Sequence, residues 1–312
     1  MNLTKSIFIP LTFFDLFNYP LTLLELWRYL YQPEKNISLS GLEKFLEESD
    51  YLHGKINKYN GYYCLSGREK ILAIRQQRYS LDQLKIKRAK LISKLFIYLI
   101  PSIKMIAVVN DLAYSNAPQS SDIDLLIVTR NKQLFFTRFC CIIILKLLGL
   151  RPTKRNKQNK ICLSFFLNER TMNLQSITLP VKGKTNFSIG DNEELSDIYL
   201  IYWLAQVLPI YGKKTYTSFW QSNQWIKQYL PNCLPTESLL LKKIPGGNNL
   251  FSWIGYLFEP FCRWIELVIL PTQLKKLAKQ KIGVIINRRM IKLHSDDRRD
   301  YFRQQIIDRL NW

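Results

Sequence analysis

The chain has 312 residues, 47% of them hydrophobic and 22% charged, a balance that excludes a disordered polymer. Its length is more than one hydrophobic core usually organises, so two or three domains are expected. Lys and Arg number 45 against 24 Asp and Glu, a net charge of +21; that field attracts nucleotides, nucleic acid or another polyanion, an anionic membrane included, and also serves solubility.

The first helices are expected in residues 1–80. "FIPLTFFDLFNY" ends at Pro20; "LTLLELWRYLY" begins with Thr22 and Glu25 at capping-box spacing; "SLSGLEKFLEESDYL" has Ser40 and Glu43 at the same spacing. "HGKINKYNGYYCLSG" then reads as two short strands around Asn60-Gly61, a dipeptide suited to a tight hairpin. Three helices and a hairpin is the order of a winged-helix-like module. Its would-be recognition helix carries Glu43, Glu47 and Glu48 against Lys44, which suits packing or partner binding better than a groove lined with phosphates.

Residues 81–180 are expected to form an α/β domain. Arg68 to Ile100 reads as helix, with Leu81, Leu84, Ala89, Leu91, Ile92, Leu95 and Leu99 near one stripe and Lys85, Lys87, Arg88, Lys90 and Lys94 elsewhere. Pro101 breaks the pattern before the strand "KMIAVVN". A second strand follows in "SDIDLLIV", where Asp122 and Asp124 are spaced i, i+2 and so project from one face, with Ile123 on the other. Two carboxylates that close repel unless a cation lies between them, which makes them candidate ligands for Mg²⁺. The plainer alternative is an Asp at a strand entrance and a second one facing solvent. A helix over 132–149 and the strand "KICLSFFLN" complete the region, joined by "KLLGLRPTKRNKQNK". That loop places Lys146, Arg151, Lys154, Arg155, Lys157 and Lys160 where they either face phosphate or are simply solvated.

Residues 181–312 read as an all-α region. "ELSDIYLIYWLAQVLPIYG" stops at Pro209, "TYTSFWQSNQWIKQYLPN" at Pro231, and "NLFSWIGYLFEPFCRWIELVIL" places Leu250, Ile254, Leu257, Phe261, Trp264 and Val268 at helical spacing. Trp203, Trp220, Trp225, Trp253 and Trp264 read as core. The broad apolar face of 250–270 could also lie on a membrane surface or pack a second subunit in a homo-oligomer. In the tail, Ser295 or Asp296 reads as a helix cap and His294 as a candidate site residue.

The six cysteines, Cys64, Cys140, Cys141, Cys162, Cys233 and Cys262, lack paired metal-ligand spacing and read as thiols of a reducing cytoplasm. The N-terminus has no basic head, clean apolar stretch or small-residue cleavage site, so no export signal is expected. "LFFTRFCCIIILKLLGL" and "LFSWIGYLFEPFCRWIELVIL" are both interrupted by charge, so no transmembrane segment is expected either.

"AVVNDLAYSNAPQSSDIDLLIVT" resembles the DNA polymerase beta-like nucleotidyltransferase superfamily, whose pattern is a strand, Gly-Ser, a helix start, about ten residues, then Asp-hydrophobic-Asp on the next strand. The match is firm over about 25 residues and loose over about 100. The layout, with its "HxxDxR" tail, also resembles a group of bacterial nucleotidyltransferase-domain proteins of unassigned substrate. The resemblance implies an α/β nucleotidyltransferase-like core, a mixed sheet flanked by helices. It further implies that Asp122 and Asp124 bind Mg²⁺, that Asn110, Asp111 and Ser121 line the phosphates of a nucleoside triphosphate, and that an acceptor hydroxyl attacks the α-phosphorus. Two departures weaken the match. Asn110-Asp111 stands where the family has Gly-Ser, and no Asp stands on "KICLSFFLNER", whose one face reads Cys162, Ser164, Phe166 and Asn168, leaving Glu169 as the candidate third carboxylate. The expectations are therefore a Mg²⁺-dependent nucleotidyltransferase, active or degenerate, or a non-catalytic basic protein that binds nucleotide or nucleic acid.

Overall fold

The computed structural model describes residues 1–153, 155–180, 195–236, 252–280 and 283–310, with only the backbone of Ser252 and Gln280. Lys154 and Leu250, named above, lie outside the described residues. Helix α1 (Leu3–Asp15) leads to β1 (Leu21–Thr22), α2 (Leu23–Arg28) and α3 (Leu39–Glu48), then the hairpin β2 (Ile56–Tyr59) and β3 (Tyr62–Leu65). The expected turn forms because Asn60 and Gly61 both take positive φ, 49° and 79°. Thr22 and Glu25 make the expected capping box. The cap of α3, however, is Ser38 and not Ser40, because the helix starts at Leu39 and the Ser38 hydroxyl already accepts from Gly41 N. β1 joins the hairpin as a third strand, in the order β1-β3-β2.

A long helix, α4 (Ile71–Leu99), precedes β4 (Ile103–Val108), β5 (Ile123–Thr129), α5 (Leu134–Leu147) and β6 (Ile161–Asn168). Then come α6 (Ile198–Gln206), β7 (Leu208–Tyr211), α7 (Lys213–Ser222), α8 (Ser252–Ile269), α9 (Thr272–Gln280), β8 (Val284–Ile286), β9 (Met290–Leu293) and α10 (Arg299–Leu310). A six-stranded mixed sheet in the order β7-β4-β5-β6-β9-β8 organises them, with β5 and β6 parallel and the other pairs antiparallel. The expected mixed sheet flanked by helices is present.

The expectation of an all-α region after residue 181 is not met, because three of the six strands come from it. Pro209, read as the end of a helix, lies inside β7; that strand is at the sheet edge, where a residue without N–H is tolerated. "VIINRRMIKL" folds as the β8–β9 hairpin, whose Asn-Arg-Arg turn lacks the glycine that would have marked it.

The central strands are buried on both faces. Met105, Ala107, Leu126, Val128 and Leu167 belong to one cluster with α1, α6 and α10, and Ile106, Val108, Leu125, Ile127 and Phe166 to another with α4 and α5. The inward face of α4 keeps Ala89 and Ile92 of the expected stripe but not its leucines. Leu84, Leu91 and Leu99 are exposed, while Asp82, Lys85, Ile86, Ala89, Ile92 and Phe96 are buried. Lys85, placed by the sequence on the basic side of the helix, reaches across to the loop before β5 and donates to Pro118 O at 2.7 Å, Ser121 O at 2.9 Å and Ser121 Oγ at 2.6 Å. Asp82 accepts from Ala117 N at 2.8 Å. These bonds outweigh the apolar stripe because the loop's carbonyls and N–H would otherwise be left unpaired. Lys85→Met, which keeps the stem and removes three donors, is expected to cost about 2 kcal/mol of stability in urea unfolding, against near-neutrality for Lys87→Met on the exposed face.

Candidate functional site

Three side chains meet where β5 begins. Asp122 immediately precedes the strand, Asp124 lies on it, and the residue facing Asp124 across the parallel pair is Cys162 at the start of β6. One ligand atom of each lies within 4.8 Å of the others, the one such group of three among the described residues. Immediately beyond, the one β5 residue between the pairs Asp124↔Cys162 and Leu126↔Phe165 opposes two of β6, Leu163 and Ser164. This bulge breaks the expected alternation, so Cys162 shares the Asp124 side while Phe166 is buried in the opposite core.

Asn110, the residue in the Gly-like position, adopts φ 58°, the left-handed region where glycine is usual and asparagine the common substitute. The chain continues into a 3₁₀ turn over Asn110–Tyr114 and not an α-helix. The Asn110 side chain donates through Nδ2 to Asp124 Oδ2 at 2.8 Å and accepts through Oδ1 from Trp203 Nε1 at 2.8 Å, so its amide is held in one orientation. Asp111 is turned into the protein and accepts from the Tyr114 hydroxyl at 3.0 Å; burial raises its pKa.

Charge in this corner is expensive. Burial, and next the Asp122 carboxylate, push Asp124 up from the ordinary 3.8 to about 6, with the Asn110 hydrogen bond opposing. Burial and the two aspartates likewise drive the Cys162 thiol well above its ordinary value, so at neutral pH it is protonated and a donor toward Asp124, not a thiolate ligand.

The two aspartates line a cavity of about 590 Å³, which Cys162 lies behind and does not itself line. Asn110, Asp111, Ser121, Asp122 and Asp124 all line it, so the structure brings together five of the six residues picked from the sequence. Ser121 is there through its position, since its oxygens are engaged by Lys85. Glu169 is not brought to the group. It follows the far end of β6, about 20 Å along the strand from Cys162, and accepts from Asn131 N at 3.0 Å. The cations lining the cavity are Arg298 and Arg309, not the basic loop before β6, and Tyr199, Tyr301 and Phe302 supply flat apolar walls. Sequence reasoning missed these because they come from α6 and from α10 and the residue before it, far along the chain from the aspartates. The one available signal was the alternation of Arg and aromatic residues in "RRDYFRQQIIDRL".

The tail's "HxxDxR" residues have another task. Asp297 takes a paired contact from Arg299, Nε to Oδ1 and Nη2 to Oδ2, both 2.8 Å, and Arg299 also reaches Asp197 at 2.6 Å. His294 is half-buried beside Phe165, its pKa lowered by desolvation to about 4, and lines a smaller cavity together with Asn110 and Trp203. α10 begins at Arg299, whose N–H is met by Asp297, so neither Ser295 nor Asp296 fills the expected cap.

The donor set fits Mg²⁺ of one kind. Two carboxylates without a third carboxylate beside them among the described residues suit an ion that keeps waters and takes the rest of its octahedron from phosphate, and do not suit an all-carboxylate cage. No family model, curated protein or solved structure matches the chain.

Asp124 has a folded-state pKa above its unfolded value, so stability from its protonated form falls as pH rises from about 4 to about 6. At pH 7 without metal the whole cost is present. Asp124→Asn is expected to raise urea stability at pH 7 by about 1–3 kcal/mol and to change it little at pH 4.

Proposed function

We propose that the cavity binds a nucleoside triphosphate through Mg²⁺ held by Asp122 and Asp124, in a nucleotidyltransferase-like core whose transfer chemistry is attenuated. The observation that carries this reading is the pair of carboxylates at the floor of a 590 Å³ cavity whose lining adds two guanidinium groups and aromatic walls. A metal-bridged triphosphate accounts for both features, since the cation relieves the repulsion between the aspartates and the arginines compensate the phosphates. Mg²⁺, when bound, would draw charge from the α-phosphoryl oxygens. The chain's own residues orient the metal ligands, through Asn110 and Trp203, and exclude water on the Phe302 side.

Attenuation follows from position 162. In the superfamily that this core resembles, a third carboxylate on the neighbouring strand accepts the proton of the attacking hydroxyl; here the neighbour is a protonated thiol, which cannot. The N-terminal module, winged-helix-like in its order, gives no support to DNA reading: Lys58 on the hairpin is paired with Glu43 and Glu47 of α3, at 3.5 and 3.3 Å. The second reading, polyanion binding without turnover, draws on the net charge of +21.

Calorimetric titration with ATP, CTP, GTP and UTP tests the proposal. Binding that requires Mg²⁺ and disappears in Asp122→Ala/Asp124→Ala is the expected result. Binding that ignores Mg²⁺ and survives the double substitution would transfer the case to the second reading, and no binding to any of the four would end the first. Cys162→Asp, which supplies the missing base and ligand, is expected to raise hydrolysis of the bound triphosphate by about 10²-fold, measured as released pyrophosphate.

A further inference from the structure

Helix α8 is built inside out. Its inward side carries Gly255, Glu259, Cys262 and Glu266, and its outward side Trp253, Tyr256, Leu257, Phe261, Trp264 and Val268. The polar residues are what hold it. Glu259 accepts from Phe135 N at 3.1 Å and Phe136 N at 2.8 Å, the free N–H groups at the start of α5. Glu266 meets Arg138 at 2.6 Å, with both side chains buried. Gly255 allows the Gln133 side chain to come within 2.8 Å of where a Cβ would stand. These pairs ascend in step, so α5 and α8 run parallel and the apolar side of α8 is turned away from the protein. Trp253 and Trp264, expected in the core, are 60% and 63% exposed.

A cavity of about 1100 Å³ adjoins this face. Tyr256, Trp264 and Leu267 form its apolar rim, and Lys132, Arg170, Arg263, Arg288 and Arg289 bring five cations to it. Its one carboxylate, Glu259, is spent on the start of α5. At the C-terminal end of the helix Lys275 donates to Val268 O at 3.1 Å, adding a further cation.

From this juxtaposition we infer that α8 docks the protein onto an anionic phospholipid bilayer, with its aromatic face in the headgroup and upper acyl region and the basic cleft over lipid phosphate. Tryptophan and tyrosine at an exposed apolar helix face suit the membrane interface, where a ring sits in the acyl boundary and its polar edge stays wet. Basic residues beside that face add attraction to anionic headgroups. A second copy of the chain fits worse, because a twofold interface would oppose the same five cations to themselves. None of the described helices is long and apolar enough to cross a membrane, so the contact is peripheral.

The test is flotation of the full chain with phosphatidylcholine vesicles and with vesicles part of whose lipid is phosphatidylglycerol, beside tryptophan emission with brominated acyl chains. Flotation with the anionic vesicles, a blue shift and quenching by bromine are expected. Trp253→Ser/Trp264→Ser and Arg170→Glu/Arg288→Glu should each lower partition by at least about tenfold, and glycerol phosphate in solution should not compete. All four sites are exposed, and unchanged circular dichroism and Mg²⁺-nucleotide titration would show that the variants fold. Absence of flotation would overturn the inference, as would flotation that the tryptophan substitutions leave intact and salt alone abolishes, which is bulk attraction to a basic protein. Light scattering that finds a dimer lost in the tryptophan variant would also overturn it, assigning the face to a second copy.

Discussion

Asp122 and Asp124 stand within 4.8 Å of each other and of a protonated thiol, in a half-buried corner at the wall of the cavity. Like charges at that distance do not come together by preference, and the surrounding elements can be understood as what holds them there. The β5–β6 register sets Asp124 opposite Cys162, and the bulge beyond it isolates that pair from the apolar run of the strand. Asn110 supplies the one side-chain N–H donor given to Asp124 and is itself fixed by Trp203. The loop that delivers Asp122 is tied down from the opposite side of the sheet by Lys85. Each is a local cost, a residue at positive φ, a buried ammonium and a half-buried amide, accepted at one place. Such a concentration of strained and buried polar groups is more typical of a working site than of a structural corner.

Buried polar side chains do the same positioning work elsewhere. Asp15, almost fully buried on α1, holds Arg68 and Arg309, each at 2.6 Å, and so joins the first helix to the last. Arg309 also lines the cavity over the aspartates. The wall of the site therefore depends on the packing of the two chain termini, through an ion pair whose carboxylate is buried and whose guanidinium is partly wet. An exposed pair of that kind would contribute little, but here the loss of either arginine leaves the carboxylate with half its compensation.

What was legible in the sequence followed from periodicity and turn chemistry. The hairpin at Asn60-Gly61, the cap at Thr22, the strands on either side of the aspartates and the pairing of those aspartates on one face all arise from short-range rules that act within a few residues. The illegible parts were decided at long range. Lys85 looks like any other lysine of a basic helix until the loop at 118–121 is placed beside it. β7, β8 and β9 are three or four residues long, too short for alternation to separate them from helix, and they exist because β4 and β6 had open edges to pair. Cys162 was visible on the right strand, but only the register shows that it faces Asp124.

Helices α4 and α8 misled for one shared reason. Sequence periodicity assigns the apolar stripe to the interior, and that assignment fails where polar residues have specific partners inside. On α4 the partners are the carbonyls of a loop, and the exposed leucines are scattered along a long helix. Single exposed apolar side chains of that kind are common and need no partner. On α8 the partners are the start of α5 and Arg138, and the outward residues are instead contiguous, aromatic and set beside five cations. The two helices thus break the same rule with different consequences: α4 turned over to secure a loop, whereas α8, turned over, presents a surface whose composition matches the boundary between lipid and water.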